Sequence, residues 1–394
     1  MISVTRLLCN QIGPQDHLRY KWRQKDYASR KEANLDRKPI VVWNSTKACN
    51  LRCMHCYYTA KAEPEPNELS TREAEAFVDD LAEFGVPVLL FSGGEPLMRE
   101  DLCHVGAYAV ERGMRTVIST NGTLIDRNSA ERIEEAGFSY VGISLDGIGE
   151  TNDRFRGVSG SFDAALNGFH NCQAAGVRTG LRLTLNKHNV QDLSDILDLL
   201  RSEGIPRACF YHLVYAGRGQ RLRADDLTLE ETRDAVDMIF DRTIAFHEEG
   251  MDIEILTVDN HADGPYLLQR IKEEQPERYE EVLSLLRANG GNASGIGIAA
   301  VDHLGNVHAD QFWQHHSFGN VRERPFGEIW TDTSDPLMSG LKDRKPLLTG
   351  RCSKCQYLDI CNGNFRVRAE AVHGDVWAPD PACYLTDEEI GLSS

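Results

Sequence analysis

The chain has 394 residues, of which 41% are hydrophobic and 26% are charged, and its formal net charge is −17. This length is sufficient for one large domain and a smaller one, and the negative charge disfavours nucleic acid and anionic membranes as partners. Since no apolar stretch reaches the roughly 18 residues that span a bilayer, we expect a cytoplasmic globular protein with no membrane partner.

Residues 1–38 are interpreted as an N-terminal lead-in segment. The opening sequence MISVTRLLCNQIG lacks the long apolar core of a secretion signal. Between Arg19 and Lys38, basic residues alternate with acidic and aromatic ones. This pattern favours a solvated segment, and the alternative is a basic lip for a small anionic substrate.

A repeated strand-and-helix pattern occupies residues 39–220. Short apolar runs alternate with amphipathic stretches that each end at a glycine. The six runs are Pro39–Asn44, Val86–Gly94, Arg115–Gly122, Tyr140–Gly147, Val177–Asn186 and Arg207–Val214. Such continuous apolar strands predict an α/β fold, a parallel sheet curled into a partial (β/α)6 barrel. Polar and glycine-rich sequences follow each run, so the chemistry is expected at the carboxyl ends of the strands.

The remainder of the chain divides near residue 290. Residues 221–290 are acidic and are predicted to form a helical connection. Residues 291–394 form the predicted C-terminal domain, which opens with two strands around a turn at His303–Asn306. Four cysteines follow in this domain: Cys352, Cys355, Cys361 and Cys383.

The first cysteine group lies in the sequence KACNLRCMHCYY. Cys49, Cys53 and Cys56 have C-x3-C-x2-C spacing in a loop that follows the first strand. A zinc ion would require a fourth ligand, and His55, between two of the cysteines, is poorly placed to supply it. A 4Fe–4S cluster held by three thiolates leaves one iron open to a small molecule. The spacing alone leaves both alternatives open.

A second motif, Ser92-Gly-Gly-Glu-Pro96, ends the second strand. Its glycines allow close backbone approach, and Glu95 adds a carboxylate. CNLRCMHC followed by SGGEP resembles the radical S-adenosylmethionine (SAM) superfamily. The resemblance implies that the three cysteines are catalytic ligands of a 4Fe–4S cluster, that SAM chelates its fourth iron, and that a 5′-deoxyadenosyl radical abstracts hydrogen from substrate. It further implies SAM contacts by Gly93, Gly94, Glu95, Asn121 and Ser144.

The C-terminal cysteines have the spacing C-x2-C-x5-C-x21-C. This resembles part of the SPASM-type auxiliary domain of radical SAM enzymes, although Phe365 stands where a further ligand would fall. The resemblance implies a single auxiliary 4Fe–4S cluster, with zinc as the alternative. An external low-potential electron donor is also implied.

Several loops resemble the haem-biosynthesis branch of the superfamily. They include DHLRY, FYHLVYAGRG, DNHADGPY, HADQFW, SFGNVRERPF and GNFRVRAEA. The resemblance implies an iron tetrapyrrole substrate, 12,18-didecarboxysiroheme, from which two acetate side chains are removed to give iron-coproporphyrin III. A related branch, in haem d1 biosynthesis, acts on the propionates of the same tetrapyrrole.

A large, flat, anionic macrocycle requires aromatic walls with Arg, Lys or His at its edges. The candidate substrate residues on this basis are His212, Tyr215, Arg218, His261, Trp313 and Arg366. Two other functions remain open, a peptide-modifying SPASM-type enzyme and a zinc-binding module on a degenerate barrel. The sequence does not determine the oligomeric state.

Overall fold

The computed structural model describes residues 1–20 and 30–392, the first two of the second range by backbone alone. Residues 21–29 of the basic stretch discussed above lie outside the described residues. The strands are β1 (Ile2–Ser3), β2 (Ile40–Thr46), β3 (Val88–Gly93), β4 (Arg115–Thr120), β5 (Val141–Ser144), β6 (Thr179–Leu185), β7 (Arg207–His212), β8 (Glu254–Val258), β9 (Ile298–Val301) and β10 (Val307–His308). They form one sheet in the order β1-β8-β7-β6-β5-β4-β3-β2-β9-β10.

Helices connect these strands and cover the outer face of the sheet. They are α1 (Val4–Cys9), α2 (Asp16–Tyr20), α3 (Arg30–Asp36), α4 (Thr71–Phe84), α5 (Leu102–Glu111), α6 (Arg127–Glu135), α7 (Glu150–Arg156), α8 (Ser161–Ala174), α9 (Leu193–Ser202), α10 (Leu229–Glu248), α11 (Asp263–Glu274), α12 (Tyr279–Asn289), α13 (Phe326–Thr331), α14 (Pro336–Lys342), α15 (Leu358–Cys361) and α16 (Arg366–His373). In the part of the chain that the structure describes, no helix is long and apolar enough to cross a membrane.

Helix α4 shows why these residues form a helix at this place. Ser70 and Glu73 make reciprocal side-chain and backbone hydrogen bonds at its start, a capping box. The buried residues Ala74, Phe77, Val78 and Leu81 recur at helical spacing. The helix ends at Gly85, whose φ of 86° favours glycine. Its apolar face therefore packs on the sheet and fixes the loop before it, which carries the first three cysteines.

The strands from β2 to β8 are all parallel and adjacent in chain order. This confirms the six predicted strands and the α/β class. It also corrects the helical prediction for residues 221–290, because that segment contains β8. All five residues of β8 are buried, since the strand is covered by β7 on one edge and β1 on the other. The strand was missed because its five residues lie between two long acidic helices and are too few to show a recognisable strand pattern.

The predicted strand pair around His303–Asn306 is present as β9 and β10, which are antiparallel. However, β9 also pairs in parallel with β2, Ile40 opposite Ile298 through Trp43 opposite Val301. Residues predicted to start a separate domain therefore extend the barrel sheet. The physical reason is that β2 would otherwise expose a row of unpaired backbone groups along one edge. At the opposite edge, β1 pairs antiparallel with β8.

A buried ion pair joins the C-terminal part of the chain to the barrel. Arg368 of α16 contacts Asp380 through Nε at 2.8 Å and Nη2 at 2.9 Å. The same guanidinium donates to the carbonyl of Leu213, after β7, and to that of Asp259, after β8, at 2.9 and 3.0 Å. Burial opposes ionisation of Asp380, but Arg368 outweighs it and lowers the pKa of the carboxyl. One side chain thus ties two strand ends to the C-terminal segment.

Replacing Arg368 by alanine is expected to destabilise the protein by about 3–5 kcal/mol, because the Asp380 carboxylate would be left buried without a partner. Arg324→Ala is the matched control, since its pair with Asp332 is part-exposed, 40% and 33% for the two side chains. The destabilisation caused by Arg324→Ala should stay below about 1 kcal/mol. Denaturant unfolding of both variants measures the difference. Equal losses of unfolding free energy in Arg368→Ala and Arg324→Ala would contradict the stabilising role of the buried pair.

Candidate functional site

A cavity of about 400 Å³ opens inside the curved sheet. Inward-facing residues of β2 to β8 line it, together with the loops at the carboxyl ends of these strands and segments near residues 291 and 311. The alternation of strand side chains places every second residue toward this space. Chemistry-bearing side chains collect here, as the parallel topology predicts.

The three clustered cysteines lie directly after β2. Cys49 and Cys53 are each 9% exposed and pack with Leu51, Cys56 and Ala60 in one group. Backbone hydrogen bonds anchor this loop at Cys49 N to Lys61 O, 2.6 Å, and at Met54 N to Phe155 O, 2.9 Å. The cysteine side chains are therefore gathered at the cavity edge by a loop that is tied at both ends.

Arg218 supports this cysteine loop from behind. Its Nε donates to Cys53 O at 2.9 Å and its Nη1 to Ala60 O at 3.1 Å, while its backbone N donates to Cys56 O at 2.9 Å. The structure thus corrects the expectation that Arg218 faces substrate. The guanidinium is used to satisfy loop carbonyls, a role that the glycine-rich sequence around it did not reveal.

Gly93 and Gly94 allow the end of β3 to touch the cysteine loop. Gly94 N donates to Thr46 O at 2.8 Å, and Glu95 N donates to Ala48 O at 2.7 Å. A Cβ on Gly94 would lie 1.9 Å from the Ala48 carbonyl oxygen. No side chain fits at this position, so the glycine is required by close approach to the residue before Cys49.

Glu95 joins β3 to β4. Its buried carboxylate accepts hydrogen bonds from Thr120 Oγ1 at 2.7 Å and from the backbone N of Asn121 at 2.8 Å. Asn121 in turn donates from Nδ2 to Asn50 Oδ1 at 2.8 Å, back in the cysteine loop. Glu95 and Asn121 therefore hold neighbouring loops together, whereas Ser144 lines the cavity directly.

A charged group that the sequence analysis did not single out lies beside the cysteines. Asp146 receives Arg156 Nη2 at 2.5 Å and lies 3.5 Å from His55 Nε2. Arg156 Nη1 also donates to Cys53 Sγ at 3.5 Å. Burial lowers the pKa of His55 to about 4, so its imidazole is neutral. Asp146 is the acidic residue of the SLDG sequence at the end of β5. Its position after a buried strand was the signal by which the sequence could have indicated it.

Four rings form an aromatic wall along one side of the cavity: Tyr57, Phe312, Phe365 and His261. Successive ring centroids are 5.2, 5.5 and 6.4 Å apart. The wall extends from the residue after Cys56 to the loop after β8. Such a surface suits a flat apolar ligand.

His212 and His261, two of the predicted substrate residues, line the cavity. His212 Nε2 lies 3.0 Å from Asp263 Oδ2, and Tyr384 donates to the other oxygen of Asp263 at 2.7 Å. Tyr384 is the residue after Cys383, so this chain of contacts connects the C-terminal cysteines with the cavity. Asp259 also lines the cavity, and burial raises the pKa of its carboxyl to about 7.

Three other predicted substrate residues do not lie among the described residues that line the cavity. Tyr215 donates to Asp226 at 2.7 Å, and Trp313 is only 1% exposed in an apolar cluster that also contains Phe312 and Phe365. Arg366 donates to the carbonyls of Val376 and Ala378 at 3.0 and 2.6 Å. The structure therefore corrects these expectations, because each side chain is held within the protein by a partner or by packing.

The four C-terminal cysteines come together as predicted. Cys352, Cys355, Cys361 and Cys383 line one small cavity of about 20 Å³. In the described residues, no three or more His, Cys, Asp or Glu side chains are arranged to hold a single metal ion.

The donor chemistry of both groups fits iron–sulfur clusters. Three thiols lie together in the loop after β2, whose residues His55 and Tyr57 line the main cavity, and four thiols line the small cavity. Thiolates are the ligands of such clusters. Any side chain at position 94 would clash with the carbonyl of Ala48, in the loop that carries the first three cysteines. Both sites therefore offer the ligands that the sequence motifs imply.

Comparisons with known proteins agree with this geometry. Residues 43–200 match the model of the radical SAM superfamily. The chain is 61% identical to Fe-coproporphyrin III synthase of Methanosarcina barkeri, over 99% of each protein. It is 42% identical to pre-heme d1 synthase of Dinoroseobacter shibae, over 91% of this chain and 89% of the relative.

Among solved structures, SuiB of Streptococcus suis bound to its precursor peptide SuiA has the same fold. The TM-score is 0.71 at 17% sequence identity, covering 89% of this chain and 76% of SuiB. At this identity the likeness concerns the fold.

Gly94→Ala is expected to weaken SAM binding by about tenfold or more, because the Cβ would force the loop before Cys49 to move by about 1 Å. Gly113→Ala is the control, since nothing lies within 4 Å of the Cβ that it adds, although its φ of +84° adds a backbone strain that Gly94→Ala does not have. Equilibrium dialysis of the anaerobically reconstituted proteins measures the affinity. Wild-type affinity in Gly94→Ala would contradict the close-approach argument.

Proposed function

The chain belongs to the radical SAM superfamily, and from this premise we propose that it removes the two acetate side chains of 12,18-didecarboxysiroheme to give iron-coproporphyrin III. It is an enzyme, since the family's cluster-binding motif, its glycine-rich motif and its barrel are all present. The family carries a 4Fe–4S cluster and SAM.

One observation carries the substrate assignment, the 61% identity to Fe-coproporphyrin III synthase along the whole chain. The identity to pre-heme d1 synthase is lower, at 42%. That relative makes propionate removal from the same tetrapyrrole the second candidate. The aromatic wall and the cavity histidines suit a tetrapyrrole in either case.

The residues of this chain would act by holding and enclosing the reactants. Cys49, Cys53 and Cys56 would hold the cluster, which with SAM supplies a radical able to abstract hydrogen from an unactivated carbon. Arg156 places positive charge beside Cys53 Sγ at 3.5 Å, and charge of this sign stabilises thiolate ligands. The aromatic wall would exclude water from the reacting carbon. An external low-potential donor would reduce the cluster.

The four C-terminal cysteines would hold an auxiliary 4Fe–4S cluster. Four thiols lining one cavity leave no iron open, in contrast to the first site. The contacts from Tyr384, the residue after Cys383, through Asp263 to His212 lead to the main cavity, which supports a role for this second cluster near the substrate.

Anaerobic incubation with reductant, SAM and didecarboxysiroheme tests the function. The porphyrin mass should show loss of two acetate side chains, together with 5′-deoxyadenosine. Cys49→Ala, Cys53→Ala and Cys56→Ala should each abolish deoxyadenosine formation, whereas Cys103→Ala, away from both groups, should retain it. Altered propionates would instead support the second candidate, and deoxyadenosine without any porphyrin change would exclude both.

Cys383→Ala tests the auxiliary cluster. Iron content should fall from roughly eight to roughly four per chain, because the C-terminal site has no SAM to replace the lost ligand on the fourth iron. Deoxyadenosine formation without tetrapyrrole should persist, since the first cluster is untouched. Zinc in the wild-type protein at this site, or unchanged iron in the variant, would contradict the assignment. Full turnover by a folded variant would exclude an electron-transfer role.

A further inference from the structure

Arg182 lies in the middle of β6 and lines the main cavity. Its register partners are Ser144 on β5 and Cys209 on β7. Leu181 and Leu183 on either side are buried, and the alternation of a strand directs Arg182 to the opposite face from these leucines. The residue was not among those that the sequence motifs indicated.

The guanidinium of Arg182 has no hydrogen bond or ion pair with the described residues, and its recorded contact is with the ring of Tyr211, 5.0 Å away. Three other arginines of the same cavity have carboxylate partners, and Arg115 donates to Ser139 Oγ at 2.8 Å. Arg19 and Arg207 contact Glu254 at 2.7 and 3.3 Å, and Arg156 contacts Asp146 at 2.5 Å. Arg182 thus carries a charge inside the barrel with no carboxylate in direct contact, although its charge favours ionisation of Asp259 at longer range.

An arginine guanidinium stays protonated in proteins, and Arg182, which is part-exposed to the cavity, holds its positive charge there without a contacting carboxylate. An anionic ligand would neutralise this charge. The planar guanidinium fits a carboxylate in a two-point contact, with a geometry that lysine lacks. Tyr211 fixes one face of the guanidinium and leaves its edge free for such a contact.

We propose that Arg182 binds a carboxylate of the tetrapyrrole substrate and orients the macrocycle against the aromatic wall. This inference rests on the proposed function. SAM carries a carboxylate too, and Arg182 is in register with Ser144, an expected SAM contact, so SAM use has to be measured separately. On its other side β6 pairs with β7, and His212 at the end of β7 lines the same cavity as Phe312 and Phe365.

The test compares Arg182→Gln, Arg182→Lys and Arg178→Gln in the reconstituted full chain. Arg178 precedes the same strand, does not line the cavity and lies 3.7 Å from Glu254, so it controls for the loss of one positive charge. Tetrapyrrole affinity is measured without reductant by absorption titration with didecarboxysiroheme and with its methyl-esterified form. SAM use is measured separately as deoxyadenosine formed without tetrapyrrole.

Arg182→Gln should weaken binding of the acid form by about tenfold or more, the worth of a charge-assisted contact, and Arg182→Lys by less. The esterified form should bind Arg182→Gln and wild type within about twofold. Arg178→Gln should behave as wild type. Deoxyadenosine formation without tetrapyrrole should be unchanged in every variant. The melting temperature of ligand-free Arg182→Gln should not fall, because the variant removes an unpaired charge.

Equal loss for the acid and the ester, or no loss for either, would overturn the role of Arg182 while leaving the proposed function intact. Loss of deoxyadenosine formation with unchanged tetrapyrrole affinity would assign Arg182 to SAM and overturn the proposal as well. If wild-type protein fails to bind and convert the tetrapyrrole, the proposed function itself fails and the inference falls with it.

Discussion

The backbone contact between the end of β3 and the loop after β2 is the constraint on which the site depends. Two hydrogen bonds, Gly94 N to Thr46 O and Glu95 N to Ala48 O, bring the glycine motif against the residue before Cys49. Glu95 then reaches β4, and Asn121 returns from β4 to Asn50. These hydrogen bonds link the ends of β2, β3 and β4 to one another. The cysteine loop therefore has one position relative to the barrel, fixed by polar contacts that cannot rearrange singly without leaving a buried group unpaired.

Much of this arrangement was predictable because it is local in sequence. Parallel strands buried on both faces have continuous apolar runs, and their carboxyl ends share an edge. These two facts predicted that Cys49, Glu95 and Ser144 lie at the same edge of the sheet. The same reasoning failed where neighbours in space are far apart in the chain. The pairing of β9 with β2 joins segments more than 250 residues apart, and no periodicity within β9 indicates its partner.

The direction of side chains in loops was the second feature that the sequence did not predict. Arg218 lies in a glycine-rich segment typical of ligand sites and Arg366 begins α16, yet both donate to nearby backbone carbonyls. A loop does not have the alternation that fixes direction in a strand. Arg182 shows the converse. It interrupts a strand whose neighbours are buried leucines, and a charged residue in such a strand indicates a polar interior. The sequence LRLTLN contains this signal, but it is not part of any of the motifs that indicated the site.

The charge distribution reconciles an acidic protein with an anionic substrate. The net charge of −17 is carried largely at the surface, where salt screens each charge within about 8 Å. Inside the barrel the effective dielectric constant is lower, so local charges dominate. There, Arg19, Arg156 and Arg207 are balanced by carboxylates, and Arg182 is not. Burial keeps the pKa of Asp259 near 7, which reduces the negative charge that it opposes to a bound carboxylate. The cavity can therefore favour an anion although the protein as a whole repels one.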